Sequence, residues 1–245
     1  MDKKGLFIAI EGGDGSGKGT QAELLRKHYA ETLGYHVLKV SFPRYEEKSA
    51  YYAAQYLNGA YGKANDVHPD LASLAYALDR FAAANDILTE LNYSLEPIDK
   101  KQDIEQARKI GGMVIADRYV ASNLAHQGTK FASKAKRQEF YKRMLDTEYN
   151  ILGIPKPDQN IVLLVPADIS QINVDKKDRR SYTNKKRDIH EADKDHLEKA
   201  KANYEELCEL YPEEFTPINC INEKGELRSI DDIQTEIRNI VKSRI

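Results

Sequence analysis

The stretch Glu11–Gln21, EGGDGSGKGTQ, sets glycines at 12, 13, 15, 17 and 19 around one lysine, Lys18, directly after the apolar run Leu6–Ile10. Glycines let a backbone turn several N–H groups inward as an anion nest, and a helix starting behind them adds its partial positive charge. A lysine at that point supplies a cation for the outer oxygens of a polyphosphate. The G-x-x-x-x-G-K spacing between strand and helix therefore predicts a phosphate-binding loop. It comprises Gly13, Asp14, Gly15, Ser16, Gly17, Lys18, Gly19 and Thr20, with a helix from about Thr20. A plain glycine-rich turn would also join strand to helix, but it leaves Lys18 unexplained.

A second group, GGMVIADRYVASNLAHQG at 111–128, puts Asp117 and Arg118 at the carboxyl end of an apolar strand. Open α/β sheets place ligand groups there. An aspartate in that position can hold Mg2+ through water, and an arginine can grip a second phosphate with two prongs. A surface ion pair between neighbours is the alternative, although adjacent residues at a strand end point in different directions. Gly19 stands where such loops usually offer Mg2+ a hydroxyl. Thr20 follows at once, and Gly-Thr-Gln after the lysine resembles the loop of adenylate kinases, where Mg2+ is held mainly through phosphates and waters. The loop alone leaves kinase, ATPase and GTPase open.

For these groups to meet, strands must end side by side. Five apolar runs, Leu6–Ile10, His36–Val40, Met113–Ala116, Ile161–Val165 and Pro217–Ile221, are separated by stretches of helical period. None alternates polar with apolar, as expected of strands covered on both faces. The pattern predicts an α/β fold with a parallel sheet and helices on each side. Helical period is plain in Leu197, Ala200, Tyr204, Leu207 and Tyr211, and again in Ile230, Ile233, Ile237 and Ile240. Ser229 with Asp232 three residues on predicts a capping box. The polar stretch at about 96–109 is expected as a surface insertion before the third strand.

With 37 basic and 39 acidic residues, a net charge of -2 gives no global attraction to nucleic acid or an anionic membrane. The N-terminal segment has five apolar residues in a row, too few for a signal-peptide core or a membrane span, so a cytoplasmic protein is expected. Cys208 and Cys220 show no metal spacing and are expected as buried thiols. The length of 245 residues suits one α/β domain over 1–245.

Taken in order, EGGDGSGKGTQ at 11–21, SFPRY at 41–45, YALDR at 76–80, DRYVASNLAHQG at 117–128 and PKPD at 155–158 resemble the thymidylate kinases, a family of P-loop nucleoside monophosphate kinases. The resemblance spans most of the chain. It implies a three-layer P-loop NTPase fold with a five-stranded parallel sheet, a homodimer, and Mg2+-dependent transfer of the ATP γ-phosphoryl to dTMP. It also implies residue roles: Asp14 at the acceptor sugar hydroxyl, Tyr76 stacked on thymine, and Arg80 on an exocyclic oxygen of the base. Arg44 and Arg118 would bind the acceptor phosphate, and Asn123 would contact the base. His126 falls where relatives often carry Tyr or Phe against the sugar edge. Tyr76 and Arg80, four residues apart, share a helix face in any case. Ordinary helix core for Tyr76 and a surface pair of Arg80 beside Asp79 are the plain alternatives.

Phosphoryl transfer needs positive groups on the moving charge and exclusion of water. The run KKDRRSYTNKKR at 176–187 has seven basic residues and one acid, and a mobile lid at 176–188 could supply both. No arginine lies between Gly12 and Lys18, so Arg179 and Arg180 are the candidates for catalytic charge alongside Lys18 and Arg118, with Arg187 behind them. A solvated loop is the alternative. Competing functions are another nucleoside monophosphate kinase, a nucleotide-binding regulator without transferase activity, and a nucleic-acid binder using 176–187. No general base is required, because the acceptor is already a phosphate oxygen anion.

Overall fold

The computed structural model describes residues 5–92, 112–175 and 194–245. The insertion at 96–109 and the basic segment 176–188, with Arg179, Arg180 and Arg187, lie outside the described residues. Strands β1 (Leu6–Gly12), β2 (Val37–Ser41), β3 (Met113–Asp117), β4 (Gln159–Leu164) and β5 (Phe215–Asn219) form one five-stranded sheet, all parallel, in the order β2-β3-β1-β4-β5. Helices α1 (Lys18–Lys27), α2 (Tyr51–Leu57), α3 (Pro69–Leu91), α4 (Val120–Gly128), α5 (Lys134–Leu145), α6 (Ala167–Asp175), α7 (Lys194–Leu210) and α8 (Ile230–Lys242) flank it.

Two apolar layers explain why the inner strands lack polar alternation. Phe7, Ala9, Val114, Ala116 and Val162 turn to one face, against Ile87 of α3, Leu124 of α4, Phe140 of α5 and Leu207 of α7. Ile8, Ile10, Ile115, Ile161 and Leu163 turn to the other, against Leu25 of α1 and Ile233 and Ile237 of α8. Burial on both faces holds for β1, β3 and β4. The edge strands differ: β2 is half-buried, and β5 buries Phe215 and Ile218 while Pro217 and Asn219 are exposed. Pro217 sits beside Val162 in β5, at an edge where its missing N–H breaks no inner ladder.

Ser229 caps α8 by accepting the Asp232 N–H at 3.1 Å. Cys208 and Cys220 are buried free thiols, and burial pushes each up to about 12. No described helix is long and apolar enough to cross a membrane.

Candidate active site

β1 leads into the loop and α1, so the glycine-rich stretch stands at the carboxyl end of the central strand. The helix starts at Lys18, two residues before the expected position, because Gly17 takes the cap in a left-handed conformation (φ 86°). Gly15, at φ 76°, also lies against α6; a Cβ there would stand 2.1 Å from the Ser170 carbonyl oxygen. Lys18 is buried and donates from Nζ to the Gly13 carbonyl at 2.9 Å. Ser16 Oγ is buried without a hydrogen-bond partner among the described residues.

Gly19 has a spatial reason. A Cβ at that position would lie 2.9 Å from Oδ2 of Asp117, at the end of the neighbouring strand β3. The residue usually found there would crowd the carboxylate; glycine lets Asp117 stand against the start of α1. Asp117 and Thr20 both line the cleft, and their oxygens are of the hard type that suits Mg2+ keeping waters and phosphate ligands. Among the described residues no group of three or more His, Cys, Asp or Glu forms a fuller cage.

Arg118 does not pair with its neighbour Asp117. Its backbone is left-handed (φ 69°), which re-aims the side chain across the sheet end, where Nη2 donates to Asp14 Oδ1. Nη1 donates to Ser122 Oγ at 3.2 Å and to the Gly12 carbonyl at 3.4 Å. Burial works against the guanidinium charge, but Asp14, Tyr204, Asp117 and Glu11 more than offset it, so its pKa is raised. Glu11 itself was not anticipated. It is wholly buried, which pushes its pKa up, while hydrogen bonds from Ser122 and Tyr119 and the nearby Arg118 pull it the other way.

A cleft of about 430 Å³ opens between the loop, the segment after β2, α3 and α4, a volume suited to a small-molecule ligand. Asp14, Gly17, Lys18, Gly19, Thr20, Tyr76, Arg80, Asp117, Arg118, Asn123 and His126 all line it, as do Phe42, Pro43, Tyr45, Ser122 and Gln127. Every residue of α4 is buried, so its polar side chains at 122, 123, 126 and 127 have only the cleft and protein partners to turn to.

Arg80 is not half of a surface pair. It is buried and forms a two-pronged ion pair with buried Glu148, Nε to Oε2 at 2.5 Å and Nη2 to Oε1 at 2.6 Å. Glu148 is presented by a π-helical turn, Asp146–Ile151, that continues α5. Asn123 Nδ2 donates to the same carboxylate at 3.1 Å. Burial works against the Arg80 charge, and Glu148 outweighs it, so its pKa is raised. The buried Oδ1 of Asn123 and Nε2 of Gln127 have no hydrogen-bond partner among the described residues. Tyr76 meets Tyr56 edge-to-face at 6.2 Å.

Arg44 is placed differently from the rest. Its Nε and backbone N–H hold Asp79 at 3.0 and 2.7 Å, its Nη2 reaches Ser49 Oγ at 3.0 Å, and it is not among the described residues lining the cleft. Asp79 thus serves Arg44, not Arg80.

His126 is tied to α7. Thr129 Oγ1 donates to the His126 carbonyl at 2.8 Å, so it accepts from His196 Nδ1 at 3.2 Å; His196 Nε2 then accepts from His126 Nδ1 at 3.1 Å. With His196 neutral, this chain puts the His126 proton on Nδ1 and makes Nε2 an acceptor. Burial holds the ring well below the usual histidine range, although Asp14 pulls the other way.

The family model for thymidylate kinases matches residues 10–230. The thymidylate kinase of Mycobacterium tuberculosis is 31% identical over 206 residues, 83% of this chain and 86% of its own. The probable thymidylate kinase of Pyrococcus horikoshii is 30% identical over 247 residues, 99% of this chain and 98% of its own. Among solved structures, the thymidylate kinase of Candida albicans shares the fold with a TM-score of 0.66 at 19% identity, over 100% of this chain and 94% of that one.

Proposed function

The chain belongs to the thymidylate kinase family and transfers the γ-phosphoryl group of ATP to dTMP, and from that premise we propose how its own residues select and align the acceptor. The reading rests on one observation above all: buried, unpartnered Asn123 Oδ1 and Gln127 Nε2 line the same cleft as Arg80. They present one acceptor and two donors. The imide edge of thymine offers the complement, one N–H between two carbonyls, whereas cytosine presents an amino group and a bare ring nitrogen. Tyr76 supplies an aromatic face for the ring. Arg118 takes the acceptor phosphate and Asp14 the sugar hydroxyl. Arg44, held by Asp79, supports the SFPRY turn, and an acceptor phosphate competes with that carboxylate for its guanidinium.

Lys18 and the loop N–H groups hold the donor phosphates. Mg2+, when bound beside Asp117 and Thr20, neutralises phosphate charge. Arg179 and Arg180 of the basic run 176–187 are assigned to the moving phosphoryl group, whose developing charge needs cations. We treat 1–245 as a single domain working in the cytoplasm, where free buried thiols such as Cys208 and Cys220 persist.

A homodimer is supported by α3. Its inward face carries Tyr76 and Arg80, while Leu71, Leu74, Leu78, Phe81 and Leu88 are between 39 and 64% exposed at three- and four-residue spacing, broken only by Asn85. A stripe of that length on a lone subunit marks a contact surface.

A steady-state assay of ADP release with dTMP, dUMP, dCMP and AMP as acceptors tests the reading. The two imide bases should be accepted, with dCMP at least roughly a hundredfold poorer in kcat/KM, because a cytosine strands buried polar groups. Equal use of dTMP and dCMP would refute the base assignment.

A further inference from the structure

Glu11 has no part in the roles above, yet its carboxylate gathers donors from two helices and the turn between β3 and α4. Oε1 accepts the Tyr119 N–H at 2.7 Å, and Oε2 accepts the Ser122 hydroxyl at 2.5 Å and the Tyr204 hydroxyl at 3.3 Å. Ser122 Oγ lies 2.9 Å from the Tyr204 hydroxyl and receives Arg118 Nη1 at 3.2 Å. An acid in β1 directly after its apolar run, wholly buried among hydroxyls, is costly unless its lone pairs are used. Here the use is specific.

The Tyr119 N–H belongs to the peptide that follows Arg118, the one described non-glycine residue with a positive φ. A side-chain-bearing residue keeps that conformation only where its surroundings over-determine it. Because Ser122 gives its single proton to Glu11, its lone pairs face Arg118. A phosphate oxygen that bonds Arg118 Nη2 competes with Asp14 for it. Once Asp14 yields, the Ser122–Glu11 strut and the Gly12 carbonyl are what keep the guanidinium aimed.

We propose that Glu11 is a positioning residue for the acceptor phosphate: it locks the Arg118 turn and orients Ser122, so that the guanidinium keeps its aim when it passes from Asp14 to the phosphate. Tyr204 anchors the same carboxylate to α7, the helix that follows the basic run in sequence. The proposal rests on the reading of Arg118 as a phosphate ligand.

Calorimetric titration of the full chain with dTMP, and with thymidine, which lacks the phosphate, measures what the phosphate adds to binding. Glu11→Gln keeps the carbonyl but turns an amide donor toward other donors. It should leave thymidine affinity unchanged, weaken dTMP roughly tenfold, and lower kcat roughly ten- to a hundredfold at constant KM for ATP, the range expected of a misplaced reacting group. Tyr204→Phe preserves the ring packing and should weaken dTMP alone by roughly threefold, as for one lost hydrogen bond. Parallel losses for both ligands, or tighter dTMP binding, would overturn the proposal. If Glu11→Gln does not fold, Tyr204→Phe decides, and an unchanged dTMP-to-thymidine ratio sinks it. Arg118→Ala separates the two layers. If that variant keeps the phosphate increment, the reading of Arg118 fails and the proposal with it; if it loses the increment while Glu11→Gln retains it, only the role of Glu11 falls.

Discussion

Arg80 and Glu148, 68 positions apart, meet as a buried two-pronged ion pair at 2.5 and 2.6 Å at the wall of the cleft. The pair leaves Nη1 as the guanidinium nitrogen not committed to Glu148, a donor whose direction the protein fixes at the wall of the cleft.

Removing either partner should therefore have unequal effects. Glu148→Ala leaves a buried, uncompensated guanidinium and should cost about 3–5 kcal/mol of stability in urea unfolding. Arg80→Lys keeps the charge but not the fork. It should weaken dTMP by about 1–3 kcal/mol and leave ATP affinity in place, as isothermal titration would show. Loss of ATP binding instead would place Arg80 on the donor side.

Asp117 and Gly19 are coupled by space. Gly19→Ala puts a methyl group where the carboxylate stands, 2.9 Å from Oδ2. Initial rates titrated with Mg2+ should show half-saturation raised roughly tenfold, the effect of disturbing a metal-supporting group. An unchanged Mg2+ dependence would remove Asp117 from the metal site.

His126 sets a pH dependence. Its folded pKa lies below the ordinary value of 6.5, so above that pH both folded and unfolded forms are neutral and the contribution is fully present. As pH falls below 6.5 the unfolded chain takes up the proton first, and stability drops by at most about 1.4 kcal/mol per pH unit until the folded ring also protonates. Urea midpoints between pH 7.5 and 5 should fall for the parent and fall less for His126→Phe. Parallel slopes would assign the acid sensitivity to other groups.

For the basic segment, replacing both Arg179 and Arg180 with Ala should lower kcat by roughly a thousandfold while moving either KM little, since groups that meet developing charge add little to ground-state binding. A kcat within a few-fold of the parent would leave Lys18, Arg118 and Mg2+ as the catalytic cations.

Charging the α3 stripe with Leu78→Glu and Phe81→Glu should convert a dimer to monomers in sedimentation equilibrium, while the inward Tyr76 and Arg80 keep their places. A parent that is already monomeric at micromolar concentration would refute the dimer.

The strands were legible because inner parallel strands must be apolar on both faces, and the loop because glycine and lysine spacing has few other uses. Glu148 carried no comparable signal: its partner is remote in sequence, and a π-helical turn breaks the 3.6-residue period by which its face could be judged. The alternative that nearness in sequence offered, a pair of Arg80 with Asp79, is not the one formed: Asp79 bonds Arg44. Two further signals lie in the burial of polar residue types. Glu11 is an acid within an apolar strand, and Ser122, Asn123, His126 and Gln127 crowd a short helix with no solvent face. Buried polar residues need partners: Glu11 finds them in Tyr119, Ser122 and Tyr204, whereas Asn123 Oδ1 and Gln127 Nε2 have only the cleft to turn to.

That short helix also bears on how the acceptor range can change. Along α4 no position is free to drift, since each residue is buried, either packed in the core or lining the cleft. Random variation across 120–128 should therefore return mostly inactive clones, whereas paired changes at 123 and 127, the two amides with spare hydrogen-bonding atoms, can exchange one donor–acceptor pattern for another without opening the core. New base preferences in this enzyme should arise by coordinated double replacements rather than by accumulation of single ones, because each amide alone would face an unmatched edge.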